Sequence, residues 1–92
     1  MHGQVTEMDK NREISGKENN VLRYRQMGLL IAYYRKLNDY TQEELAELLE
    51  ISTGYLSQVE AQSRMQPISL ELLFRIADVL KIEPYRLLYF NE

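Results

Sequence analysis

At 92 residues, with 45% hydrophobic side chains and a formal net charge of −3, the chain has the makeup of one small globular domain. It holds no cysteine, which excludes a disulfide framework and a cysteine zinc site, and no apolar run approaches the ~20 residues that a membrane span needs. The first ten residues, MHGQVTEMDK, lack the apolar stretch of a secretory signal, so an intracellular location is expected.

Residues 1–19 are polar and of mixed charge, with Glu7, Asp9, Lys10, Arg12, Glu13, Lys17 and Glu18. They read as a flexible tail with a transient helical turn around Met8 to Ile14. Three basic residues against four acids make a poor phosphate-tracking arm. His2 is the only histidine and has no second ligand or nucleophile nearby, so no metal or catalytic role is expected. The folded domain is expected over residues 20–92. Its first helix is predicted from about Val21 to Leu37, capped by Asn19 or Asn20. Met27, Ile31, Tyr34 and Leu37 recur at helical spacing and form its core stripe. Leu29, Leu30 and Tyr33 make this helix apolar on a further side, to be covered by the tail, by the last helix or by a second copy of the chain.

Thr41 is a good N-cap and Glu44 follows three residues on, the spacing of a capping box. Leu45, Ala46, Leu48 and Leu49 give one apolar face to a second helix over Gln42 to Glu50. The pattern breaks at Glu50-Ile51. Ser52 is the next cap, and a third helix runs from Ser52 or Thr53 to Ala61 with Leu56 and Val59 facing inward. Two helices of about two turns joined by so short a turn are a helix-turn-helix unit, here at 41–60. Ala46 is small where the two helices would cross. Ala61 to Pro67 is a loop whose only charge is Arg64. A fourth helix starts at the cap Ser69 and buries Leu73, Ile76, Ala77 and Leu80, with Leu72, Phe74 and Val79 as surplus apolar area. After the break at Lys81 to Pro84, a fifth helix to Tyr89 carries Tyr85, Leu87, Leu88 and Tyr89, with Phe90 following. This end is too apolar for a frayed terminus and either caps the core or pairs with a second copy.

Thr41-Gln42-Glu43-Glu44-Leu45-Ala46, Ile51-Ser52 and Tyr55-Leu56-Ser57-Gln58-Val59-Glu60 carry a family resemblance, which continues through Pro67, Ser69-Leu70-Glu71, Ile76-Ala77, Leu80 and Ile82. The sequence resembles the lambda-repressor/Cro-like (XRE-type) helix-turn-helix DNA-binding domains over most of the chain after the tail. The resemblance implies an all-α fold, a compact bundle of five short helices whose third helix enters the major groove. Thr53, Ser57 and Gln58 fall where the family's base contacts fall, and Gly54 lets the backbone come close. Gln58 can pair bidentately with adenine, and Thr53 can donate, accept or pack its methyl group on thymine. With no Arg or Lys on this face, the resemblance implies few guanine contacts and an A·T-leaning site. Gln42, Ser52, Tyr55 and Arg64 are the implied phosphate contacts. Arg35 and Glu60 are the implied structural ion pair. Gly28 stands where the family often has glycine against a neighbouring helix. Glu50 stands where the family usually has glycine, so it takes a left-handed conformation at about 1 kcal/mol or the turn is built differently.

The expected function is sequence-specific DNA-binding regulation, as a repressor acting as a homodimer on a palindromic duplex site. Leu30, Tyr33, Tyr85, Tyr89 and Phe90 are the candidate dimer surface. In a chain this short no separate sensing domain is expected. Neither a cofactor, a metal, a small-molecule ligand nor a membrane is implied, and the resemblance implies a bacterial or phage cytoplasmic setting at the nucleoid. The acidic balance and the uncharged third helix favour an alternative: a protein-interaction module of antitoxin or anti-repressor type with a protein partner. An enzyme is not expected, since no glycine-rich phosphate loop or acid–base pair lies on the core.

Overall fold

The computed structural model describes the backbone of residues 2–89 and the side chains of residues 19–89. Three short polar residues decide where three helices start. Thr41 Oγ1 accepts from the Glu44 amide, Ser52 Oγ from the Tyr55 amide and Ser69 Oγ from the Leu72 amide, each at 3.0 Å. Each satisfies one of the amides that a helix leaves without an internal partner. At Thr41 the box closes, because the Thr41 amide donates back to Glu44 Oε1 at 2.8 Å. The helices that follow are α2 (Gln42–Leu49), α3 (Thr53–Ala61) and α4 (Leu70–Leu80). They are preceded by α1 (His2–Leu37) and followed by a single 3-10 turn, Pro84–Leu87. The described residues contain no strand.

Helix α1 begins at His2, well before the expected start near Val21, so Asn19 and Asn20 lie inside it instead of capping it. The predicted fifth helix is a single 3-10 turn and stops at Leu87, short of Tyr89. Pro84 presets its first residue, and four residues are too few for an α-helical hydrogen-bond ladder to repeat.

The helix ends are made without glycine. Asp39, Glu50, Gln62 and Lys81 take left-handed backbone with φ of 61°, 59°, 49° and 61°. After α2 the Glu50 amide donates to Glu47 O and the Ile51 amide to Ala46 O; after α4 Lys81 and Ile82 repeat this with Asp78 O and Ala77 O. These are paired Schellman closures, in which the apolar residue after the left-handed one folds back on the helix. Ile51 and Ile82 do so, half-buried against the core. That contact, with the two recovered hydrogen bonds, offsets the left-handed strain at Glu50 and Lys81.

The core is one cluster. It takes Met27 and Ile31 from α1, Leu45, Ala46 and Leu49 from α2, and Leu56 and Val59 from α3. Leu72, Leu73, Ile76, Ala77 and Leu80 come from α4, and Leu87 from the 3-10 turn. Two stripe residues depart from expectation. Leu37 and Leu48 are exposed. At 3.6 residues per turn Leu37 has rotated about 80° from Met27, off the core face, and Leu48 lies beside the narrow stripe that Leu45, Ala46 and Leu49 bury. Cross-links hold the helix ends. Asn38 Nδ2 donates to Tyr34 O at 2.9 Å and to Leu80 O at 3.2 Å, joining α1 to the end of α4. The Arg75 guanidinium donates to the Leu49 carbonyl at the end of α2.

Helix α1 crosses the end of α3 at Gly28. A Cβ there would stand 2.5 Å from Glu60 O and 2.6 Å from Val59 O, which are backbone atoms. Gly28→Ala is therefore expected to lower stability by about 1–3 kcal/mol, as overpacking does, although alanine is the better helix former by ~1 kcal/mol. Urea unfolding measures it; an unchanged or raised midpoint would mean that the two backbones can part freely.

Candidate nucleic-acid interface

The end of α3 is anchored before anything is presented to a ligand. Arg35 Nε donates to Glu60 Oε2 at 2.7 Å and Arg35 Nη2 to Glu60 Oε1 at 3.1 Å, a two-point carboxylate fork. Both side chains are buried. Arg35 Nη1 donates to Tyr40 O at 2.9 Å, and Gln42 Nε2 donates to Glu60 Oε1 at 2.9 Å. Arg35 from α1 and Gln42 from the start of α2 thus donate to one carboxylate at the end of α3, and Arg35 also holds the carbonyl of Tyr40 in the turn between α1 and α2. The helix-turn-helix angle is fixed at its open end by charge, as the shared core fixes it at the crossing.

Gln42 has a partner inside the chain. One of its amide hydrogens is committed to Glu60, and the other remains for an outside acceptor. Ser52 likewise uses its hydroxyl oxygen as the α3 cap and retains a hydrogen to donate. Tyr55 is half-buried and packs against the core. Arg64 is exposed in the loop after α3.

The outer side of α3 is uncharged. Thr53, Gly54 and Gln58 are exposed and Ser57 is half-buried, at positions i, i+1, i+4 and i+5, opposite the buried Leu56 and Val59. Gln58 joins Ser63, Arg64 and Gln66 around a shallow hollow of about 420 Å³. Gly54 is the reverse of Gly28: a Cβ built on it meets nothing within 4 Å, and its φ is not positive. Neither packing nor backbone geometry inside this chain calls for glycine there. Glu43, Glu44 and Glu47 on α2 and Glu50 at its C-cap are all exposed, so the helix before α3 presents acidic side chains, while the amides at the helix N-termini carry partial positive charge.

Three of the candidate dimer residues share a groove. Leu30, Tyr33 and Tyr89 line a groove of about 490 Å³ between α1 and the 3-10 turn, with Gln26, Leu29, Tyr34 and Arg86. Tyr85 lies outside this groove, its ring 5.5 Å from the Arg86 guanidinium. Phe90 falls outside the described residues. Sequence reasoning missed the Gln42–Glu60 contact, the Arg75 link to α2 and the buried Gln62. Each is a polar side chain meeting a group distant in the chain or hidden by folding, which no periodicity reports.

The Helix-turn-helix family model matches residues 31–87. Among curated proteins no sequence matches. Among solved structures the chain is similar to the master regulator for biofilm formation SinR in complex with DNA, with 33% identity and a TM-score of 0.63 over 68% of this chain and 98% of that one. It is similar to the N-terminal DNA-binding domain of SinR from Bacillus subtilis, with 31% identity and a TM-score of 0.66 over 74% and 97%. It is also similar to the restriction-modification controller protein C.AhdI from Aeromonas hydrophila, with 30% identity and a TM-score of 0.63 over 70% and 94%.

Two substitutions separate the anchor from the presented face. Glu60→Ala leaves Arg35 buried without its partner and is expected to cost about 3–5 kcal/mol, read as a shift of the unfolding midpoint. A shift under 1 kcal/mol would mean that the guanidinium finds solvent. Gly54→Ala is expected to raise stability by up to about 1 kcal/mol, and a destabilised variant would reveal a packing role the free chain does not display.

Proposed function

The chain belongs to the XRE-type (lambda-repressor/Cro-like) helix-turn-helix family, and we propose that it is a DNA-binding transcriptional regulator that reads its site with α3 in the major groove. The observation that carries this reading is the outer face of α3, which is exposed, polar, uncharged and held rigidly from behind by the Arg35–Glu60 fork. Thr53, Ser57 and Gln58 reach base edges, and Gly54 lets the backbone approach the groove wall, which supplies a reason for a glycine that the chain itself does not need. Arg64 and the remaining hydrogens of Gln42 and Ser52 meet phosphates, with the amides at the start of α2 adding to them. Tyr55 is at most an edge contact from its half-buried position. The DNA-bound state of SinR supports the same assignment by similarity.

A second copy seats on the groove formed by Leu30, Tyr33 and Tyr89, with Tyr85 at its margin. The resulting two-fold dimer reads half-sites about one helical turn, ~34 Å, apart. One module supplies few base contacts, so pairing is what raises affinity enough for promoter occlusion, and repression in the cytoplasm is the simplest outcome. The acidic side of α2 favours a second reading, in which the domain docks on a protein. A charged protein rim and DNA differ in salt response, since only duplex DNA releases condensed counterions in proportion to the phosphates neutralised.

Selection from a random duplex library followed by titration of the enriched site at several salt concentrations tests the proposal. A recovered palindrome with a steep slope is expected; folded protein that enriches no site would transfer the weight to the protein-docking reading. Gln58→Ala is expected to lose affinity for the enriched duplex by about 1–3 kcal/mol and to leave nonspecific binding nearly unchanged, and equal losses on both would remove Gln58 from base reading. Tyr33→Glu is expected to yield monomers in sedimentation and to weaken the palindrome far more than a half-site. A Tyr33→Glu protein that stays dimeric would place the interface elsewhere.

A further inference from the structure

Gln62 is the most deeply buried polar side chain of the described residues, 2% exposed, and glutamine is a residue that proteins mostly keep at the surface. It also takes left-handed backbone, φ 49°, as the C-cap of α3, a conformation that favours glycine. Two unfavourable features at one position call for a return, and the hydrogen bonds supply it. Gln62 Nε2 donates to Val59 O at 2.9 Å and to Gln66 O at 3.1 Å, and Gln62 Oε1 accepts from the Gln66 amide at 2.8 Å. The side-chain amide thus pairs with both backbone groups of Gln66 and ties them to the last turn of α3. Between the two anchors, Ser63, Arg64 and Met65 are forced outward and exposed. The same closure brings Ser63, Arg64 and Gln66 around one hollow with Gln58.

We infer that Gln62 is a positioning residue for DNA binding: it holds the 63–66 loop folded in the free protein, so that Arg64 meets a phosphate at a fixed offset from Gln58. This rests on the DNA-binding reading above. Gln62 itself touches no DNA. Its effect is to remove the loop's ordering entropy from the binding step and to tie the register of the phosphate contact to the base-reading helix.

Gln62→Gly tests this, because glycine keeps the left-handed cap and deletes only the side-chain clamp. Two readouts are taken. In the free protein, hydrogen exchange of the Gln66 amide is expected to speed up at least about tenfold while α2 and α4 stay protected. On a mixed-sequence duplex of fixed length, affinity is expected to fall several-fold and the slope of log affinity against log salt to drop by about one, as for Arg64→Ala. Arg64→Ala added to Gln62→Gly is expected to change little more. A helix cap alone would shift the melting temperature and leave the slope in place. Unchanged Gln66 exchange overturns the clamp, and so does a wild-type slope in Gln62→Gly, or full additivity with Arg64→Ala. If the wild-type chain binds no duplex at any salt, the DNA-binding reading fails and the loop's role fails with it. Intact wild-type binding with an unmoved slope sinks the Gln62 inference alone.

Discussion

Everything presented on α3 depends on how closely α1 can approach its end. Gly28 and Arg35 lie two turns apart on the same side of α1, and both meet residues 59–60. The missing side chain at Gly28 lets the α1 backbone reach the Val59 and Glu60 carbonyls, and this contact brings the Glu60 carboxylate to Arg35. With a Cβ at position 28 the helices would separate, and the fork at Arg35 would stretch with them. The steric and the electrostatic constraint therefore act as one. A buried ion pair is weak evidence of net stability, because desolvation opposes its Coulomb attraction. Its value here is geometric. Glu60 also accepts from Gln42, so a single carboxylate sets the positions of α1, α2 and α3.

The connections around this anchor are equally specified. Each of α2, α3 and α4 starts on a hydroxyl cap and ends on a left-handed residue that is not glycine. Gln62 compensates with side-chain hydrogen bonds, whereas Glu50 and Lys81 compensate through the isoleucine that follows and its return bond to the helix. A small domain has little core to draw on, so rigidity at the turns has to come from such local closures. This matters for recognition, since a helix presented at a variable angle would lose the geometric selectivity of bidentate base contacts.

Charge is where this domain differs from an ordinary phosphate-binding surface. Its net charge is −3, and α2 with its C-cap exposes four glutamates. Long-range attraction to a polyanion is correspondingly weak, so the proposed mode of binding rests on short-range contacts: one arginine in an ordered loop, helix amides and neutral side chains. Pre-ordering the loop and doubling the module are two ways to raise affinity without adding charge. The clamped Gln62 is suited to the first, and the second is the proposed pairing at the apolar groove between α1 and the 3-10 turn.

The helix starts, the core positions of α2 to α4 and the family were legible in the sequence by itself, because caps, helical spacing and a short turn are local properties. Thr41, Ser52 and Ser69 are read from two or three neighbours each. Leu37 and Leu48 were misread because spacing reports which residues share a face, not how wide a strip the partner helices cover. The start of α1 was misread because Asn19 and Asn20 resemble caps that the helix passes through. Tertiary structure alone decided the rest. Whether Gly28 and Gly54 have opposite meanings depends on what lies within a few ångströms of a Cβ that neither has. Gln42 and Gln62 look like surface amides until Glu60, 18 residues away, and the folded-back Gln66 supply their partners. Hydrogen-bond partners and close backbone approach are relations between distant parts of the chain, and folding brings those parts together.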